Sequence, residues 1–276
     1  MRRYRWTRAG EGFEPTDQPG EPGQARIIDS WLVADGRMRG FEAHTRRFSA
    51  ACAELSGIAP EQTRKFMRAA AARLPAEGRW FPRVELVLAG PDGALQLELW
   101  IRPAPAPGRT VRLWLADAPD IRTYPQIKGP DLGWLTCQRD AAVAAGADEA
   151  VLLSPGGRVL EGSTASIMWW RDDTLCTPRE GVLPGITQSL LLRHACATGV
   201  PIAVISPTPA ELSGLEVWAV NALHGIRPVT AWVGTDIEPG PVLRAARWQR
   251  YLDELAAPVM TLDSALDPVA PSGPAG

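Results

Sequence analysis

The chain has 276 residues, 45% hydrophobic and 22% charged, with a formal net charge of −2, which fits an ordinary globular protein with room for two moderate cores or one large one. No run of Lys or Arg exceeds two residues and no apolar run reaches membrane-spanning length, so the sequence announces neither a nucleic-acid groove nor a membrane span. Cys52, Cys137, Cys176 and Cys196 are widely spaced, and no apolar stretch follows the basic start, so a reduced, cytoplasmic protein is expected.

Residues 8–24 are rich in Gly, Pro and acids, and 1–24 is expected to be a flexible N-terminal segment. A strand is predicted over 26–33, a turn at Asp35-Gly36, and amphipathic helices over 41–55 and 61–74. Strands over 84–88 and 95–101 flank a turn at Pro91-Asp92-Gly93, and another strand covers 111–115. Together these make a small α+β domain over 25–120. The Pro-rich stretch 103–108 and the loop 118–133 interrupt the pattern, the second as a domain boundary. A larger domain over 121–256 begins with a helix at 134–145, a strand at 149–153, a strand running into Glu161, and strands at 167–170 and 174–177. A helix over 186–198, strands over 201–205 and 216–221, and a helix over 241–255 complete it. Residues 257–276, rich in Pro, Ala, Gly and Ser, are expected to be a disordered tail.

Lys65 and Lys128 are the only lysines; the positive charge is otherwise arginine. A lysine amine can lose its proton and attack a carbonyl, which an arginine cannot. Lys128 lies in the loop Tyr124-Pro-Gln-Ile-Lys128-Gly-Pro-Asp131, although a lone lysine is most often a solvated surface group. His44, His194 and His224 lack metal-ligand spacing, so no metal site is expected. Glycine-rich dinucleotide and P-loop patterns are absent, as is G-x-S-x-G. Trp169, Trp170 and the other tryptophans read as core and interface packing rather than stacking platforms.

Downstream of Lys128 come Glu161-Gly162-Ser163-Thr164-Ala165-Ser166, then Thr177-Pro178, then Leu183-Pro184-Gly185-Ile186-Thr187. Singly, these read as a turn, a strand end and a helix start, and Arg47, beside Arg46, as a solvated helix arginine. In this order, with Ala145-Gly-Ala-Asp-Glu-Ala150 and His44-Thr-Arg-Arg47, they resemble the class IV aminotransferase family of pyridoxal-phosphate enzymes, fold type IV, over roughly residues 26–255. The resemblance implies an α+β, two-domain, D-amino acid aminotransferase-like fold, with a small α/β N-terminal domain and a larger β-barrel-like C-terminal domain carrying helices.

It also implies roles. Lys128 would be the Schiff-base lysine and proton-moving base, and Glu161 would face the pyridine nitrogen of pyridoxal 5'-phosphate. The amides of Ile186 and Thr187, the turn at Asn221 and Ala222, and Arg47 would hold the phosphate, with Arg46 the alternative if the register shifts. Asn221-Ala222-Leu223 looks most like the 4-amino-4-deoxychorismate lyase branch, which releases 4-aminobenzoate and pyruvate. Arg102 is the first candidate for a substrate carboxylate, with Arg109 and Arg227 in reserve and Ser30 at a lyase strand position. The alternatives are a branched-chain or D-amino acid type aminotransferase and a non-catalytic ligand-binding homologue. A homodimer acting on a small carboxylate-bearing amine is implied, without nucleic acid or membrane. Two positions depart from the family pattern: Ser166 and Asp131 stand where it has asparagines, which bears on substrate class and brings a carboxylate beside the lysine.

Overall fold

The computed structural model describes residues 1–7, 12–16, 25–89 and 94–258. The turn expected at Pro91-Asp92-Gly93 and the tail beyond residue 258 lie outside them. The first part of the chain forms β1 (Arg2–Trp6), β2 (Phe13–Pro15), β3 (Ala25–Ser30), β4 (Val33–Ala34), β5 (Arg37–Met38), α1 (Phe41–Ser56) and α2 (Pro60–Ala72). It continues through β6 (Arg79–Trp80), β7 (Arg83–Ala89), β8 (Ala94–Ile101) and β9 (Val111–Leu115). Then come α3 (Leu132–Ala144), β10 (Glu149–Leu153), β11 (Val159–Gly162), β12 (Ser166–Arg171) and β13 (Thr174–Thr177). The last elements are α4 (Ile186–Ala197), β14 (Ile202–Val204), β15 (Val217–Asn221), β16 (Gly225–Val233), α5 (Ala245–Glu254) and β17 (Ala257–Pro258).

A five-stranded sheet runs β2-β1-β8-β7-β3, an eight-stranded sheet β11-β10-β9-β16-β15-β12-β13-β14, and a small one β17-β5-β4-β6. This is the fold class expected: mixed α/β, with a small sheet and a larger half-barrel sheet. Alternation along β12 explains why its apolar run is continuous. Ile167 and Trp169 enter one core while Met168 and Trp170 enter another, beneath α4 and α5. β15 repeats the pattern, with Val217 and Ala219 on the first face and Trp218 and Val220 on the second. Trp6, Trp31, Trp169, Trp170, Trp218, Trp232 and Trp248 are all buried, so the tryptophans serve mainly as core. Among the described residues no helix is long and apolar enough to cross a membrane, and no group of three or more His, Cys, Asp or Glu is placed to hold a metal ion.

Within the segment 1–24 that was expected to be flexible, β1 and β2 are strands of the five-stranded sheet. β1 pairs along β8 from Arg2 opposite Ile101 to Arg5 opposite Glu98, and Trp6 is in the core. Its charge has a partner. Glu85 and Glu98 face each other across β7 and β8, both nearly inaccessible, and like charges so placed repel. Arg3 donates to Glu98 at 2.8 Å, lies 3.8 Å from Glu85 and stacks 4.0 Å over Trp100, while Arg83 also pairs with Glu85. Arg3→Met therefore leaves buried carboxylates undercompensated and is expected to cost about 3–5 kcal/mol. Urea denaturation checks this, and a loss below about 1 kcal/mol, the scale of an exposed pair, would show that β1 is dispensable.

Candidate active site

The loop before α3 carries Lys128 and is held at both ends. The Lys128 carbonyl accepts the Ile28 amide of β3 at 2.8 Å, tying the loop to the small sheet, and Ile127 closes a turn onto the Tyr124 carbonyl at 3.0 Å. Gly129, at φ 134°, takes a backbone conformation that favours glycine and turns the chain toward α3. Asp131 supplies the third fastening, accepting the amides of Thr123 at 3.2 Å and Tyr124 at 2.9 Å. The carboxylate that the sequence reading set beside the lysine is thus engaged by loop backbone. Asp131→Ala is expected to lower turnover roughly tenfold and Tm by several degrees, since bonds to a charged acceptor are worth about 1.5–3 kcal/mol. Asp131→Asn, which keeps one acceptor, is expected to recover part of the loss; steady-state rates of the three proteins decide it.

Lys128 opens on a cavity of about 550 Å³, within the usual size for a small-molecule site. Its amine makes no hydrogen bond or ion pair among the described residues. Burial, reinforced by the Arg47 charge, pushes that amine below its ordinary pKa, against the pull of Asp29 and Glu161.

Glu161, next to last in β11 and 4% exposed, lies on the same cavity. Its Oε1 accepts Arg122 Nη1 at 2.6 Å and the Leu183 amide at 2.8 Å. Oε2 has no partner among the described residues and remains available. Burial raises the carboxyl to about 7, against the pull of Arg122 and the Leu183 amide. Arg122 is itself fixed by Asp120 and by the Gly181 carbonyl at 2.9 Å. Nothing in the sequence reading pointed to Arg122, which lies in an irregular loop without motif or periodicity.

Arg47 and His44 line the same cavity. Arg47 Nε and Nη2 reach the two oxygens of Asp29 at 2.9 and 2.8 Å, Nη1 donates to the Pro184 carbonyl at 3.1 Å, and His44 Nδ1 lies 2.7 Å from Asp29. Burial alone would raise the Asp29 carboxyl, yet Arg47 and His44 together hold it well below the usual carboxylate range. Arg46 is exposed and off the cavity wall. The spacing of His44 and Arg47 put both on one face of α1, whereas Asp29 comes from a strand and was not singled out.

Helix α4 begins at the cavity with extended Gly185 as its N-cap and no side-chain cap. The Ile186 and Thr187 amides, in the first turn, have no intrahelical acceptor and form the positive end of the helix dipole. A Cβ on Gly185 would fall 2.4 Å from Ser166 Oγ, so any larger residue there would displace the Ser166 hydroxyl. At the far side of the turn, Asn221 Oδ1 accepts the amides of Leu223 at 3.1 Å and His224 at 2.9 Å, shaping the segment that holds Ala222 on the wall. Glu149, also unforeseen as a site residue, organises the turn after Glu161 by accepting the hydroxyls of Ser163 and Thr164 and the Thr164 amide at 3.0 Å.

The substrate candidates separate. Ser30, Arg102 and Arg227 line the cavity, and Arg102 Nε is anchored on the Phe81 carbonyl at 2.8 Å. Arg109 is exposed and not on its wall, a consequence of the Pro-rich segment carrying it away from the strand end.

These residues fit pyridoxal phosphate: an uncompensated amine, a buried carboxylate with one free oxygen, and a helix end with open amides, all on one cavity of suitable size. The family model described as amino-transferase class IV matches residues 26–232. Among solved structures, a fold IV-transaminase from Curtobacterium pusillum is 20% identical, with TM-score 0.76, covering 95% of this chain and 98% of that one. A Legionella pneumophila protein provisionally assigned as a 4-amino-4-deoxychorismate lyase is 19% identical, TM-score 0.72, covering 87% and 97%. A hypothetical aminotransferase from Mycobacterium tuberculosis in its PLP-bound form is 21% identical, TM-score 0.74, covering 92% and 98%. No protein of curated function matches the sequence.

Proposed function

We propose, from the premise that this chain belongs to the class IV amino-transferase family of pyridoxal-phosphate enzymes, that it is the lyase which converts 4-amino-4-deoxychorismate to 4-aminobenzoate and pyruvate. The observation that carries the reading is the cavity itself. Lys128 and Glu161 Oε2 meet there without partners, beside Arg102 and Arg227, cations suited to a substrate with more than one carboxylate. The Asn221-Ala222-Leu223 turn supports the lyase branch.

Pyridoxal phosphate, when bound, supplies an electron sink for the pair left on the amine-bearing carbon. Glu161 Oε2 holds a proton at the ring nitrogen, with Arg122 and the Leu183 amide fixing its other oxygen. Arg47, the amides of Ile186 and Thr187, and the turn at Asn221 and Ala222 retain the phosphate. The Lys128 amine, whose burial lowers its pKa, takes the proton from the amine-bearing carbon of the substrate. The ring carbon–oxygen bond to the enolpyruvyl group then breaks, drawn by aromatisation of the ring, its electron pair leaving with the oxygen. The enolpyruvate takes up a proton at its methylene carbon to become pyruvate, balancing the one Lys128 removed. Arg102 orients a substrate carboxylate, and Ser30 lines the same side. A cytoplasmic homodimer completes the reading.

A second reading is an aminotransferase, favoured by the transaminase neighbours, with Lys128 moving the same proton to a different carbon. Incubation with 4-amino-4-deoxychorismate and no amino acceptor separates the two. The lyase yields 4-aminobenzoate with turnover. Absence of that product, together with an amino acid giving its 2-oxo acid at one equivalent per site, would sink the lyase reading.

A further inference from the structure

Part of the cavity's positive charge is not used by the cofactor fit. Arg227 is 6% exposed, and its one ionic contact among the described residues is long, Nη2 to Glu149 at 3.4 Å. That carboxylate is already shared by Ser163 and Thr164, and Arg227 Nε is buried with no partner among the described residues. His224 stands in the turn just before β16. Its Nδ1 accepts the Gly108 amide at 3.0 Å, so the neutral ring carries its proton on Nε2, which has no acceptor among the described residues. Gly108 seats both groups, since a Cβ there would lie 3.3 Å from Arg227 Cδ and 3.8 Å from the His224 ring.

Arg139, exposed on α3, lines the same cavity and makes no ion pair among the described residues. Nearby Asp148 is taken by Arg112 at 2.9 Å. Burial, then the charges of Arg227, Arg139 and Arg79, pushes His224 down to about 4, although Glu149 and Asp148 lie in the same cavity lining, engaged by other groups. A buried donor left unpaired costs free energy, and a bound carboxylate would satisfy it.

We infer that His224, Arg227 and Arg139 form a second anion subsite, which takes a carboxylate remote from the reacting amine and selects substrates carrying two carboxylates. The inference rests on the cavity being the amine-processing site, and deepens it by dividing the anions between Arg102 and this cluster. The Asn221 turn carries His224 as well as Ala222, so the subsite adjoins the cofactor region.

Titration calorimetry of the holoenzyme with glutarate and with pentanoate, a dicarboxylate and a monocarboxylate of equal chain length, tests it. Glutarate is expected to bind roughly tenfold tighter or more, given the worth of a charge-assisted hydrogen bond. Arg139→Ala, at an exposed position, and His224→Leu are each expected to bring the ratio of the two affinities toward one. Equal affinities in the wild type, or a ratio that survives both substitutions, would overturn the subsite. Borohydride reduction of the same preparation reports separately whether Lys128 carries the cofactor, so failure of the subsite and failure of the site reading are distinguishable.

Discussion

Lys128→Ala is expected to remove turnover while leaving the fold intact. Loss of the base alone is worth roughly 10²–10⁴-fold, and loss of covalent anchorage to the cofactor adds to it. The fold should tolerate the change because the amine makes no hydrogen bond or ion pair among the described residues, and burial already penalises its charge. Lys128→Arg should be as inactive, since a guanidinium keeps its proton at any working pH. Lys65→Ala, at an exposed position of α2, serves as the control and should be indistinguishable from the wild type. Retention of more than about a tenth of the activity by Lys128→Ala would be incompatible with a base worth two or more orders of magnitude.

Glu161→Gln is the second large effect. The amide can keep an oxygen on the Leu183 amide and near Arg122, so the wall stays formed, but it brings no charge to the pyridine nitrogen. A preorganised charge of this kind is worth roughly 10²–10³-fold in rate. The same substitution has a signature in stability. Burial holds the Glu161 proton to about 7, against 4.5 for an unperturbed glutamate, so the native state binds that proton more tightly than the unfolded chain. Stability of the cofactor-free protein should therefore fall as pH rises from about 4.5 to about 7, and Glu161→Gln should remove that slope. Thermal melts across the window read it directly. A slope unchanged in the variant would assign the titration to another group.

Much of the fold was legible where the signal is local. Helix α1 was predicted over 41–55 and runs Phe41–Ser56, and α4 was predicted over 186–198 and runs Ile186–Ala197, because apolar spacing and a Pro-Gly start need no distant partner. The end helix was predicted from 241 but begins at Ala245, where Glu216 accepts the Arg244 amide at 2.9 Å and the Ala245 amide at 3.1 Å. That cap comes from another element, which periodicity cannot report. β16 was missed. Gly225 and Pro228 argue against a strand, yet Pro228 sits opposite Trp218, and the partner register shifts just beyond it, between Val229 and Ala231. β1 reads as a basic terminus until Glu85 and Glu98 are seen to need it.

The site divides the same way. Lys128, Glu161 and the start of α4 stood out because the chain presents them in a fixed order and each carries its chemistry in one residue or one turn. Arg122, Asp29 and Glu149 escaped because each acts by holding another side chain, a role that leaves no mark on the sequence around it. Asp131 shows the reverse: a carboxylate near the lysine in sequence is, in three dimensions, a fastening for the loop.

The central claim is that Lys128 is the residue that holds the cofactor, and with two lysines in the chain it can be tested cleanly. Protein loaded with pyridoxal phosphate is reduced with borohydride, digested, and its peptides are mapped by mass. The account predicts a phosphopyridoxyl group on the peptide containing Lys128 and none on that containing Lys65. Label on Lys65, or on neither, would contradict it.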